Sequence, residues 1–311
     1  MRAHVAFLTA AIPIAACVPP LPDETNGTGF PNFMVALVSS AGSPANLAVD
    51  SQSVYWADIS RQAVMKVSPR GIETVARTPF RGYYQVAVDA RSVYWTSGQQ
   101  DFARNEIVKV DIAGGQPTTI VADPNDTDDI EIFAVRGGAI YWTTGGGNVK
   151  KASLGGGPPT VLATEQWSHV GLAVDGTSAY WIRSDGIVKV GISGGEPVLI
   201  APMLTESYSN LAVDATHVYW SDALTNKLLK VPIGGGTPEV AYAPGSEPMH
   251  VAADGSGLYW IDQSGSVWGL DRPQTEARAL GVTAPDGVGD LVLDETGVFW
   301  VAGDAIYRAP K

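Results

Sequence analysis

The sequence predicts an all-β fold, a seven-bladed β-propeller with three-plus-one ring closure. Three observations carry that prediction. An apolar run ending in an aromatic pair recurs seven times: VYW at 54–56, 93–95 and 218–220, IYW at 140–142, AYW at 179–181, LYW at 258–260 and VFW at 298–300. Trp56, Trp95, Trp142, Trp181, Trp220, Trp260 and Trp300 are spaced by 39, 47, 39, 39, 40 and 40 residues, the period of a propeller blade. The last unit has only three strand-like segments (291–294, 298–301 and 305–309), while a spare one, MVALV at 34–38, precedes the first unit. Pairing the two ends completes the seventh blade and removes an open sheet edge.

Each unit reads as four strands. The first is LAVD-like, at 47–50, 86–89, 133–136, 172–175, 211–214, 251–254 and 291–294. A tight turn leads to the aromatic strand, and an apolar-basic strand such as VMKV (64–67) or IVKV (107–110) follows. Gly-Gly-x-Pro turns at 114–117, 156–159, 194–197 and 235–238 introduce a short fourth strand. No helix follows these glycines, so they are read as hairpins and not as a phosphate loop. β-Branched and aromatic runs suit strands covered on both faces by neighbouring blades.

Composition narrows the function. Of 311 residues, 45% are hydrophobic, 17% are charged, and the net charge is −12, a field that repels nucleic acid and anionic lipid. A single cysteine excludes an internal disulfide framework and a cysteine-based zinc site. The closed ring is expected to be a monomer.

The N-terminus, MRAHVAFLTAAIPIAAC, has one fixed charge, Arg2, and an apolar run from Val5 to Ala16 too short to span a bilayer as a helix. Ile14-Ala15-Ala16-Cys17 resembles the lipobox of bacterial lipoproteins, in which the cysteine is acylated and becomes the new N-terminus. The resemblance implies a signal peptide at 1–16, lipidated Cys17 with a Pro/Gly-rich tether to 32, and the propeller over 33–311. The expected place is the bacterial envelope, with lipid as the membrane anchor. Val18, where an Asp would favour retention at the inner membrane, points to the outer membrane.

The repeats resemble the YWTD repeats of low-density-lipoprotein-receptor propellers, and more loosely NHL-type propellers. The likeness is strongest at YWAD (55–58), YWSD (219–222) and YWID (259–262). Two families of repeated polar residues have structural readings. Asp50, Asp89, Asp175, Asp214, Asp254 and Asp294 open the turn after the first strand, where an Asx turn accounts for every copy. Lys66, Lys109, Lys150, Lys189, Lys230 and Arg308 recur on the third strand, with stems on aromatic faces and charges toward carboxylates.

Specificity is expected in what the repeat does not explain. Loops at 79–85, 97–106, 123–131, 164–170 and 202–210 share one face. They carry Tyr83, Tyr84, Trp167, His169 and Tyr208, together with an acidic cluster of Asp123, Asp126, Asp128, Asp129 and Glu131. Exposed aromatics beside charge suit an envelope protein or a glycan as partner. No cofactor is expected; Ca²⁺ is the ion whose hard-oxygen chemistry the acidic loop matches, with a solvated loop as the plainer reading. No residue set is assigned to a metal.

A second reading lies at the central funnel. The residue before each first strand is Asn46, Gln85, Ile132, Gly171, Asn210, His250 and Asp290 in turn. His250 and Asp290, on adjacent blades, form a candidate acid–base pair, with Asn46 and Asn210 beside them. By fold and repeat length the chain is similar to regucalcin-type lactonases and to streptogramin lyases. Those likenesses imply a metal held by carboxylate and Asn in the first case, and a histidine base in the second. The two functions set against each other are therefore a binding scaffold and a funnel enzyme, a lyase or metal-dependent lactone hydrolase.

Overall fold

The computed structural model describes residues 34–78, 85–97, 106–122, 129–164, 170–202, 210–282 and 288–311. Seven four-stranded antiparallel sheets follow one another around a ring. Their first, innermost strands are Pro44–Val49, Val86–Val88, Ile130–Arg136, Val170–Val174, Leu211–Val213, Pro248–Ala253 and Val288–Leu293. The spare segment Val35–Val38 pairs antiparallel with Ala305–Pro310 as the outer strand of blade seven, closing the ring three-plus-one. Among the described residues no helix is long and apolar enough to cross a membrane. The Gly-Gly turns adopt positive φ at both glycines, +91° and +137° at Gly114 and Gly115 for example, as hairpins there require.

The aromatic pair works because successive side chains on a strand point to opposite faces. The Tyr of one blade and the Trp of the next therefore meet in the same seam. Tyr55 joins Trp95, Tyr94 joins Trp142 and Tyr141 joins Trp181. The series continues with Tyr180 and Trp220, Tyr219 and Trp260, Tyr259 and Trp300, and Phe299 and Trp56 across the closure. Every one of these side chains is at most 3% exposed. Truncating such a buried aromatic to Ala costs about 3–5 kcal/mol.

The Asx turns form as expected and have a second half. Asp175 Oδ1 accepts from the backbone N–H of Thr177 and Ser178, while Oδ2 accepts the Tyr180 hydroxyl at 2.8 Å. Asp50 with Tyr55, Asp89 with Tyr94 and Asp214 with Tyr219 repeat the clamp. Burial and then the acceptor carboxylate push the Tyr94, Tyr180 and Tyr219 hydroxyls up to about 12. Blade seven has Phe299 at this place, and Asp294 Oδ2 is buried with no hydrogen-bond partner.

The aspartates of the YW-x-D units close the next hairpin. Asp58 accepts from Ser60 Oγ, Arg61 N and the Arg61 guanidinium, and Asp262 from Ser264 N, Ser266 N and the Trp268 indole. Burial works to raise both carboxyls; the donors outweigh it and hold them below the ordinary carboxylate range.

The third-strand lysines differ in part from expectation. Lys66 and Lys230 do face carboxylates, Glu73 at 2.9 Å and Glu239 at 3.8 Å. Lys109 and Lys189 instead cross the seam to the carbonyls of Leu154 and Ile233, both at 2.6 Å. In blade three the equivalent residue is Lys151, not Lys150: Lys151 pairs in register with Tyr141 and reaches Ile192 O at 2.9 Å. A Lys-Lys pair leaves the register open by sequence alone. On the outer strands Ile72, Val161, Val198 and Val240 remain about half exposed.

Restoring the missing hydroxyl tests the clamp. Phe299→Tyr is expected to stabilise the fold by about 1 kcal/mol, read from the denaturant midpoint, by giving Asp294 Oδ2 its donor. A lower midpoint would show that the clamp does not transfer to blade seven.

Candidate functional site

The polar residues assigned to the funnel lie where the first strands enter the sheet. Asn46, His250 and Asp290 are inside their strands, at register shifts that separate Pro44 from Leu47, Pro248 from His250 and Val288 from Leu291. Asn210 directly precedes its strand. Such bulges re-aim a side chain and leave backbone groups without ladder partners. Each innermost strand also has a free edge, so its N–H groups need acceptors from elsewhere.

The neighbouring blade supplies them. Asp290 Oδ2, on blade seven, accepts from Leu47 N at 3.0 Å and from the Asn46 amide at 2.7 Å, both on blade one. Asn46 Oδ1 accepts from Val86 N at 2.8 Å on blade two. Gln85 Oε1 accepts from Phe133 N at 2.6 Å on blade three. Asn210 takes both backbone groups of one residue across the seam, accepting from Val251 N and donating to Val251 O, each at 2.8 Å. At the blade four to five seam the residue is Gly171, with φ +75°; a Cβ there would stand 2.9 Å from Leu211 N. The backbones simply approach too closely for a side chain.

Four of the seven positions singled out in the sequence make bonds across seams. Asn46, Asn210 and Asp290 are seam latches, joining each blade's rim to the next. Asp290 Oδ1 is occupied as well, by Leu291 N at 2.9 Å. Burial pushes the Asp290 carboxyl above the ordinary carboxylate range, against the pull of Leu47 N, His250 and Leu291 N. His250 lies on the adjacent blade, and its charge acts on that carboxyl. Among the described residues no three His, Cys, Asp or Glu side chains form a group that could hold a metal ion.

Most of the expected recognition face lies outside the described residues: Tyr83, Tyr84, Asp123, Asp126, Asp128, Trp167, His169 and Tyr208, as does Cys17. Asp129 is described, and its carbonyl accepts from Gly145 N at 3.0 Å. Glu131 belongs to the first strand of blade three and not to the loop, where the register shifts between Ile130 and Ile132.

The latches predict a stability effect. Asn210→Ala removes the partner of both Val251 backbone groups and should cost about 1–3 kcal/mol, visible as a melting temperature lowered by several degrees. An unchanged melting temperature would remove Asn210 from the account.

Neither a protein-family model nor a curated protein sequence matches the chain. Solved structures do. A streptogramin B lyase is similar over 89% of this chain and 96% of its own, with a TM-score of 0.72 and 12% identity. YCF48 from Cyanidioschyzon merolae is similar over 89% and 99%, with a TM-score of 0.68 and 13% identity. A nidogen/laminin complex structure matches over 76% and 90%, with a TM-score of 0.52 and 19% identity. At these identities the likeness is one of architecture, and it places this chain among β-propellers.

Proposed function

We propose that the protein is a rigid recognition scaffold, held at the bacterial envelope by lipid on Cys17, whose loop face docks a partner protein or a glycan. The observation that supports this reading is the commitment of the channel-rim polar groups. Asn46, Asn210 and Asp290 are engaged in seam bonds, and Asp290 has donors on both oxygens. A general base needs a lone pair directed at substrate. Specificity then falls to the segments that the repeat does not explain, 79–85, 97–106, 123–131, 164–170 and 202–210.

The competing reading keeps a lyase or a lactone hydrolase at the funnel. The approach of His250 to Asp290 favours it. Its base would be His250, because Asp290 is already occupied.

The two readings separate in one experiment. Soluble protein from residue 18 onward is used to capture partners from solubilised envelope, beside Trp167→Ala, a shortened 123–131 loop and His250→Ala. The scaffold reading expects capture to be lost with both loop variants, at unchanged melting temperature, and retained in His250→Ala. Capture indifferent to the loops, together with lactone or lyase turnover that disappears in His250→Ala, would replace it with the enzyme.

A further inference from the structure

On the opposite face, where first strands turn into second and third into fourth, the seams of blades six and seven carry a cation, Arg272 and Lys311, where the preceding seams carry an apolar residue. The residue after each third strand is a wedge whose N–H bonds across its own blade: Ile112, Leu154, Ile192 and Ile233 in blades two to five. Each packs into the apolar seam shared with the preceding blade's Tyr. In blades two to four the third-strand lysine caps the next wedge's carbonyl: Lys109 on Leu154, Lys151 on Ile192 and Lys189 on Ile233.

Blade six breaks the series with Arg272, whose N–H keeps the same backbone bond, to Ser256 O. Its guanidinium lies 5.8 Å from the Tyr219 ring centroid and bonds Asp214 at 2.7 Å through Nη2. Lys230 stays on its own blade, 3.8 Å from Glu239, and does not cap the wedge. The seam opens here into a cleft of about 340 Å³. Leu258, Leu270 and Ala241 supply apolar wall, with Lys230, Arg272 and Gln274 among the polar lining.

The donors outnumber the acceptors that remain. Asp214 is satisfied by Arg272, the Tyr219 hydroxyl, Thr216 and two backbone N–H groups. Arg272 spends only Nη2, so Nη1 and Nε keep their hydrogens. Lys230 has no hydrogen bond within normal distance. A ligand here must bring acceptors, and a planar carboxylate matches a guanidinium edge. Asp214 and Glu239 balance the formal charge of Arg272 and Lys230, which leaves nothing to attract a polyanion. The apolar wall asks for a compact hydrocarbon body.

We propose that this cleft is a binding site for a small organic monoanion, a carboxylate carried on a compact apolar group. It does not depend on the loop-face reading, since it lies on the other face.

Benzoate is the probe, titrated into the protein from residue 18 onward at low salt and followed by calorimetry and amide shifts. Benzoate is expected to bind with Kd of about 1 mM or tighter. Benzamide and acetate should each bind at least tenfold more weakly, one lacking the charge and the other the body. Lys230→Gln, and Ala241→Trp to fill the cleft, should each weaken benzoate at least fivefold at unchanged melting temperature. Arg272→Lys, which keeps the charge beside Asp214 and loses the fork, should do the same. Equal binding of benzamide, or benzoate binding that all three variants retain, would overturn the proposal.

Discussion

Every seam of this ring depends on two adjacent side chains of one strand pointing opposite ways. A Tyr faces the next blade and a Trp faces the previous one, so each seam is filled by an aromatic from both sides. That single constraint fixes the repeat, because the pair must return once per blade at the same height. The Tyr hydroxyl then needs an acceptor, which in blades one, two, four and five the turn aspartate supplies with the oxygen its backbone bonds leave free. Phe299 and Asp294 show the reverse case, in which losing the hydroxyl leaves an oxygen without a partner.

A ring of blades also creates a second problem, the free edges of the innermost strands around the channel. The chain solves it differently at different seams. Asp290, Asn46, Gln85 and Asn210 each reach to a backbone N–H of the next blade, and Gly171 allows direct backbone approach. Polar residues gathered at a channel mouth resemble a catalytic set when read as a list. Hydrogen-bond accounting shows three of the four candidate residues holding the scaffold. The position behind each third strand shows the converse: it is an apolar wedge at four seams, and a change there to Arg272 opens space.

The repeat made the architecture legible. Blade count, the three-plus-one closure and the Asx turns all follow from spacing and turn chemistry, which are local properties. Contacts across a seam join residues about 40 positions apart and leave no local signature. The Tyr180 hydroxyl bond to Asp175 was within reach, since the two residues stand five positions apart in one turn and strand. In blade three the Tyr141 hydroxyl has no aspartate, and Lys151 stands 5.5 Å over its ring. The Lys150 register was not recoverable, because two lysines in succession fit either face. The loop face was legible only as composition, since the repeat that explains the rest of the chain is silent there.

The central claim is that side chains from one blade hold the inner-strand N–H groups of the next. Native-state hydrogen exchange reads this directly at the amides of Leu47, Val86, Phe133 and Val251. The account predicts slow exchange at all four, close to the rate of global unfolding, although each lies on the free edge of its sheet. Exchange at the rate of unprotected edge amides would contradict it and return Asn46, Asn210 and Asp290 to the solvent of the channel.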